Sequence, residues 1–235
     1  MEQRIRLILH PQRGRPYAGR TPETRPVPCN RIAAPISAND IPPPTDVVED
    51  GVHCVSAGCS QMGDRFYIEN DDRSSGIQVR MVSGTQPEEA DVITIAGTIN
   101  VVDGERAITD ASVIRTGIGT GVVPNALGMV NRDLGGSDLG ATPGITGASA
   151  LNNIGLLVRV WSRVTYIGTD YFRVCDGDMT LDGSQYEIKV YCPGLAKPTS
   201  TSQYAIVTGI SLLELSESTA TPLVRARKIE DLVYY

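Results

Sequence analysis

Two separate stretches of this chain follow one strand plan, and that repetition restricts the fold more than any other feature of the sequence. DRFYIENDDRSSGIQV at 64–79 and DYFRVCDGDMTLDGSQYEIKV at 170–190 each run from an alternating strand through an acidic, glycine-containing turn into a second alternating strand. Side chains two positions apart share one face of a strand. Phe66 and Ile68 are therefore expected to face one core with Ile77 and Val79, and Phe172 and Val174 another with Ile188 and Val190.

The correspondence continues past each hairpin. DVITIAGTINVV at 91–102 aligns with QYAIVTGISLLE at 203–214, placing Gly97 and Gly209 in equivalent central positions. A glycine inside a strand costs stability and is best explained by a bulge or a sharp bend. Further strands are expected near 107–114 and 222–227. LLVRVWSRVTYI at 156–167 supplies a long opening strand to the second unit, whereas the first has only the shorter GVHCVSA at 51–57. Five strands with one long bent member suit a small closed barrel, because closure removes the edges. The 235 residues, with 24 Gly and 15 Pro, fit two such units in an all-β chain better than a helical bundle.

The remaining segments have different compositions. Residues 1–47 form a basic, proline-rich arm: nine of the fifteen prolines fall in 11–44, and seven arginines face only Glu2 and Glu23 in 1–31. Such a stretch is expected to be extended, with no packed core of its own. The body beyond it is acidic, which argues against wholesale coating by nucleic acid. The expected boundaries are 48–116 for the first barrel, 117–151 for a glycine-rich link and 152–235 for the second barrel. The link carries Val122, Val123, Leu127, Met129, Leu134, Leu139 and Ile145, too many apolar side chains for a plain tether, so it is expected to be ordered against the barrels.

No apolar run approaches the length of a membrane span, and MEQRIRLILH has too short an apolar core for a signal peptide. Cys29, Cys54, Cys59, Cys175 and Cys192 are never spaced CxxC, so neither a zinc knuckle nor a thioredoxin-type pair is implied. A disulfide from Cys175 or Cys192 and buried free thiols are both open.

FYIENDDRSSGIQV at 66–79, RDLGGSDLGATPGITG at 132–147 and NNIGLLVRVWSRVT at 152–165 resemble a tandem OB-like module of predicted secreted or surface proteins of environmental bacteria. The resemblance covers about residues 48–235. It implies two OB-like β-barrels in tandem behind the extended N-terminal arm, and an extracellular or cell-surface location. Barrels of this type hold nucleic acids, oligosaccharides or proteins, so the resemblance leaves the ligand open.

The strongest surface constellation is Arg159, Trp161 and Arg163, which alternate on one strand opposite Val158, Val160 and Val164. Tyr171 and Arg173 of the next strand are expected on the same outer face. Rings interleaved with arginines suit a single-stranded nucleic acid, the rings stacking bases and the guanidinium groups meeting phosphates. An oligosaccharide would use the same aromatics, and in the plain structural alternative Trp161 packs on the link or on another subunit. Arg65, Tyr67, Arg73 and Arg80 form a weaker version of this surface, opposed by Glu69, Asp71 and Asp72, which reads more simply as a solvated turn with hairpin ion pairs. Asp176, Asp178 and Asp182 are the best candidates for a Ca²⁺ site, although their spacing is not that of an EF-hand and ordinary acidic turns explain the composition.

Nothing points to an enzyme. Ser74 and Ser75 lie beside a glycine, but His10 and His53 are remote in sequence and no triad geometry follows. Neither GxGxxG at a strand-to-helix turn nor GxxxxGK occurs, so no cofactor is implied.

The leading expectation is a non-enzymatic, self-associating extracellular subunit. In RIRLIL at 4–9, Ile5, Leu7 and Leu9 alternate with Arg4, Arg6 and Ile8, giving one apolar strand face. The arm is long enough to reach a second protomer and add a strand to an incomplete first barrel, building a homo-oligomer, as a filament or a reciprocal dimer. Folding back onto its own barrel is the local alternative. Binding of single-stranded nucleic acid or oligosaccharide is the alternative function.

Overall fold

The computed structural model describes residues 45–56, 62–70, 72–83, 86–117, 121–140, 142–148, 150–179, 185–216 and 219–235. The expectations for Arg4, Ile5, Arg6, Leu7 and Leu9, for Cys29 and Cys59, and for Asp182 lie outside the described residues.

The alternating segments of the first half form β1 (Thr45–Cys54), β2 (Arg65–Glu69), β3 (Gly76–Ser83), β4 (Val92–Val102) and β5 (Glu105–Gly117). These close into a barrel in the order β1-β2-β3-β5-β4. Only β3 and β5 run parallel, and this order is that of an OB-type Greek-key barrel. Phe66, Ile68 and Val79 are buried in its core with Ile93, Ile95 and Ile108, and Ile77 packs beside them. Asp103 and Gly104, both at positive φ, make the two-residue turn that the twist of a β4–β5 hairpin favours.

The opening strand corrects the sequence reading. It begins at Thr45 rather than near residue 51, and pairs with β4 from Thr45 to His53 and with β2 at His53 and Cys54. A register shift between Glu49 and Val52 marks a bulge, which breaks the period-two pattern and hides the strand from a search for alternation. The first barrel is therefore closed by its own strands, and the expected vacancy for an inserted strand is not there.

The second half contributes β6 (Leu127–Gly128), β7 (Leu157–Ile167), β8 (Tyr171–Met179), β9 (Gln185–Tyr191), β10 (Tyr204–Ser216), β11 (Thr219–Arg225) and β12 (Leu232–Tyr234). They form one sheet in the order β12-β10-β11-β9-β8-β7-β6, with β10 also paired to β7. The pairings β7–β8, β8–β9, parallel β9–β11, β11–β10 and β10–β7 repeat those of the first barrel strand for strand. Phe172, Val174, Ile188 and Val190 are fully buried beneath them.

Gly97 and Gly209 are equivalent in space as well as in sequence: each pairs with the opening strand of its unit, Gly97 with Val47 and Gly209 with Val158. A Cβ on Gly97 would lie 2.6 Å from Ile108 Cγ2 and 2.7 Å from the carbonyl oxygen of Thr109, and one on Gly209 would lie 2.4 Å from that of Arg225. The requirement is close approach of backbones across the bend, not positive φ.

The link is packed. Leu134 is fully buried in the second core, with Leu127 and Met129 against it. Ile145 joins Ile154 and Leu213 in a small cluster, while Val122 and Leu139 stay exposed. Asn153 Oδ1 ties the link down by accepting from the Gly135 amide and the Ser211 hydroxyl.

A third apolar cluster joins the two halves. Val55, Met62 and Tyr67 from the first pack with Leu157, Ile210 and Leu212 from the second, with Val123 of the link beside them. Tyr67, read from the sequence as part of a surface, is 1% exposed. Its hydroxyl donates to Glu105 Oε2 at 2.9 Å, and Gln78 Nε2 donates to both. Burial raises the Glu105 carboxyl above its ordinary value, against the opposing hydrogen bond from Tyr67. The Gly76 and Gly155 backbones touch so closely that a Cβ on Gly76 would lie 2.4 Å from the Gly155 carbonyl. Arg227, 4% exposed, grips both carboxylate oxygens of Asp231 and donates to the Val55 carbonyl oxygen. Of the solvated-hairpin reading of Glu69 and Arg73, the ion pair forms, at 2.6 Å, but it is not solvated: the Glu69 side chain is buried and that of Arg73 is 16% exposed, both in this junction.

Cys54, Cys175 and Cys192 are buried, and Cys175 and Cys192 form no disulfide among the described residues. Among the described residues no helix is long and apolar enough to cross a membrane.

Candidate functional site

The outer face of β7 follows from its alternation. Val158, Val160 and Val164 point into the core, which leaves Arg159, Trp161 and Arg163 exposed on the other side. Trp161 is 60% exposed, an unusual position for the only tryptophan of the chain. The β10 register brings Tyr204 opposite Arg163, Ile206 opposite Trp161 and Thr208 opposite Arg159. The Trp161 and Tyr204 rings stack with centroids 5.1 Å apart and planes 15° from parallel. Arg159 Nε is held by Thr208 Oγ1 at 2.9 Å, whereas Arg163 makes, among the described residues, only a long 3.4 Å bond to the Thr201 carbonyl. One guanidinium is positioned and the other is free to reach, with the aromatic pair between them.

Farther along β7 a register shift between Val164 and Tyr166 turns Tyr166 outward, opposite Arg173 of β8. Tyr166 stacks on Tyr171 with centroids 5.6 Å apart. Lys189 lies 4.7 Å over the Tyr171 ring, and Arg173 is 3.7 Å from Glu187. The hydrogen bond with Tyr171 raises the Tyr166 hydroxyl above its ordinary value.

The structure thus gathers the expected residues into two groups on one face: Arg159, Trp161 and Arg163 around Tyr204, and Tyr171 and Arg173 around Tyr166. Sequence reasoning missed both added tyrosines. Tyr204 is placed by a strand pairing distant in sequence, and Tyr166 by a bulge that strict alternation does not contain.

An open depression of about 660 Å³ crosses β7 beside the Trp161–Tyr204 pair, lined also by Arg163, Thr165, Cys175, Asp176 and Gln185. Thr165 Oγ1 is buried there without a hydrogen-bond partner among the described residues. Asp176 already accepts the Asn131 and Asp178 amides, and Asp178 faces Arg132 at 3.5 Å. These two carboxylates of the suggested Ca²⁺ site thus serve a turn and an ion pair, and no group of three or more metal-ligating side chains occurs among the described residues.

No family model and no curated protein matches the sequence. Among solved structures, a murine DNA-binding protein bound to double-stranded DNA is similar at 10% identity, over 81% of this chain and 97% of that one, with a TM-score of 0.38. A HINa domain in complex with 20-base-pair double-stranded DNA is similar at 12% identity, over 82% and 94% of the two chains, with a TM-score of 0.31.

Proposed function

We propose that this chain is a non-catalytic binding module whose second half, an OB-like barrel, takes single-stranded nucleic acid on the outer face of β7 and β10. The observation that carries the reading is the solvent-exposed Trp161–Tyr204 stack set between Arg159 and Arg163. An exposed ring pair offers a face to any base, worth roughly 1–3 kcal/mol per base. Guanidinium groups on either side supply the phosphate contacts that make such binding salt-dependent. A neutral oligosaccharide would use the rings but gain little from two arginines.

Because Trp161 is the only tryptophan, its emission reports directly on the site. Titration with an oligothymidylate of about eight nucleotides is expected to quench it, with affinity falling steeply between about 50 mM and 200 mM salt. Trp161→Ala, followed by anisotropy of a labelled oligonucleotide, is expected to lose most of the binding, and Arg159→Ala/Arg163→Ala to weaken it and flatten its salt dependence. Absence of binding at low salt overturns the reading. Quenching by a neutral oligosaccharide that is indifferent to salt assigns the face to sugars instead.

A further inference from the structure

Resting on that reading, we infer that the site has two base-stacking platforms, so that its ligand is a single strand long enough to span both. The first platform is Trp161 on Tyr204, and the second is Tyr166 on Tyr171. Both lie on the outer face of β7, since Trp161 and Arg163 alternate with the buried Val160, Ser162 and Val164, and the bulge then returns Tyr166 to the same side. Without that bulge Tyr166 would point with Val164 toward the core.

The separation sets the length. Trp161 and Tyr166 are five positions apart on one strand, or about 16 Å at a rise of about 3.3 Å per residue. A stacked strand advances about 3.4 Å per nucleotide and a stretched one about twice that, so about three to five nucleotides bridge the platforms. Between them stands Arg163, whose only hydrogen bond among the described residues is the long one to Thr201, in reach of the connecting phosphates. Arg173, opposite Tyr166 and 46% exposed at its side chain, serves the phosphate at the far platform. Thr165 adds a hydroxyl without a partner among the described residues to the depression along this path. At the same end Lys189 and Arg173 balance Glu187 and Glu214, so the second platform is not walled off by uncompensated negative charge.

Oligothymidylates of increasing length, titrated into the full chain and followed by Trp161 emission, test this. Dinucleotides are too short to bridge, so affinity is expected to rise stepwise, by about tenfold, as length passes through about three to five nucleotides. In Tyr166→Ala/Tyr171→Ala, shown folded by circular dichroism, the step is expected to vanish. An affinity that climbs smoothly with length, or a step that survives in the double variant, overturns the two-platform site while leaving single-strand binding standing. Absence of binding at every length overturns both.

Discussion

Glu69, the last residue of β2, accepts the backbone amide of Leu157, the first residue of β7, through Oε2 at 3.0 Å. Its other oxygen lies 2.6 Å from Arg73 Nε, and Arg73 Nη2 donates in turn to the Leu157 carbonyl at 3.0 Å. Glu69 is 1% exposed, so the contact that starts β7 is a desolvated ion pair supplied by the other half of the molecule. The outer face of β7 is therefore oriented in part by the first barrel.

Breaking this pair is expected to be costly. Glu69→Ala leaves the Leu157 amide without its acceptor and Arg73 without its counter-charge, and removal of one member of a buried pair typically costs about 3–5 kcal/mol. Glu69→Gln keeps an acceptor and is expected to lose less. Urea unfolding followed by Trp161 emission and by circular dichroism measures both. Because the halves share the cluster of Tyr67, Leu157, Ile210 and Leu212, the two probes are expected to trace one transition in the wild type. Separate transitions there would show that the junction is not cooperative.

The paired glycines give a second expectation. Gly209→Ala drives a methyl to 2.4 Å from the Arg225 carbonyl oxygen, and Gly97→Ala drives one to 2.7 Å from that of Thr109. The neighbouring atoms include backbone, which cannot turn aside as a flexible side chain does. A loss of about 2 kcal/mol or more is expected at each, toward the upper part of the overpacking range. Gly128→Ala, where no atom lies within 4 Å, is expected to change stability by no more than about 0.5 kcal/mol. Equal effects at Gly209 and Gly128 would remove the close-approach explanation.

How far the sequence revealed this molecule depended on how local each determinant is. Phe172, Val174, Ile188 and Val190 were readable as one core because period two assigns strand faces without knowledge of partners. The same rule placed Tyr67 on the second face of β2 but could not say that another unit covers it. Bulges defeated the rule twice: at Glu49–Val52, hiding the first half of β1, and at Val164–Tyr166, concealing an aromatic that belongs to the site. Trp161 was found as a candidate from alternation alone. Its stacking partner, Tyr204, depends on the β7–β10 register, which is set by a pairing of distant segments.

The buried carboxyl of Glu105 predicts a pH dependence with a definite sign. Desolvation raises its folded-state pKa above the ordinary 4.5, so the folded chain holds this proton more tightly than the unfolded chain. Below the unfolded value both states are protonated and the group adds no penalty. As pH rises from there through the raised folded value, the folded state must ionise a buried acid and stability falls, by at most about 1.4 kcal/mol per pH unit. Glu105→Gln retains an acceptor for the Tyr67 hydroxyl and cannot ionise. The variant is therefore expected to gain on the wild type as pH increases across that window, with the difference levelling off above it. A difference that is flat with pH, or that shrinks, would mean that Glu105 is not held in its protonated form by burial.

The two arginines beside Trp161 are expected to differ in their salt response. On a single strand each neutralised phosphate contributes about 0.7 to the slope of log affinity against log salt. Arg163, anchored among the described residues only by the long bond to Thr201, can follow a phosphate at little cost; Arg159 is already fixed by Thr208. Arg163→Ala is therefore expected to reduce the slope by about one phosphate's worth and to weaken oligothymidylate binding, most visibly at low salt. For Arg159 the informative variant is Thr208→Val, which removes the hydroxyl holding Nε while leaving the charge. It is expected to weaken binding without lowering the slope, because a guanidinium released from its anchor still reaches phosphate but must be ordered when it does so. If Thr208→Val lowers the slope as much as Arg163→Ala, the hydroxyl is needed for the phosphate contact itself and does more than position Arg159. If Arg163→Ala leaves the slope unchanged, its guanidinium meets no phosphate and serves only to flank the rings.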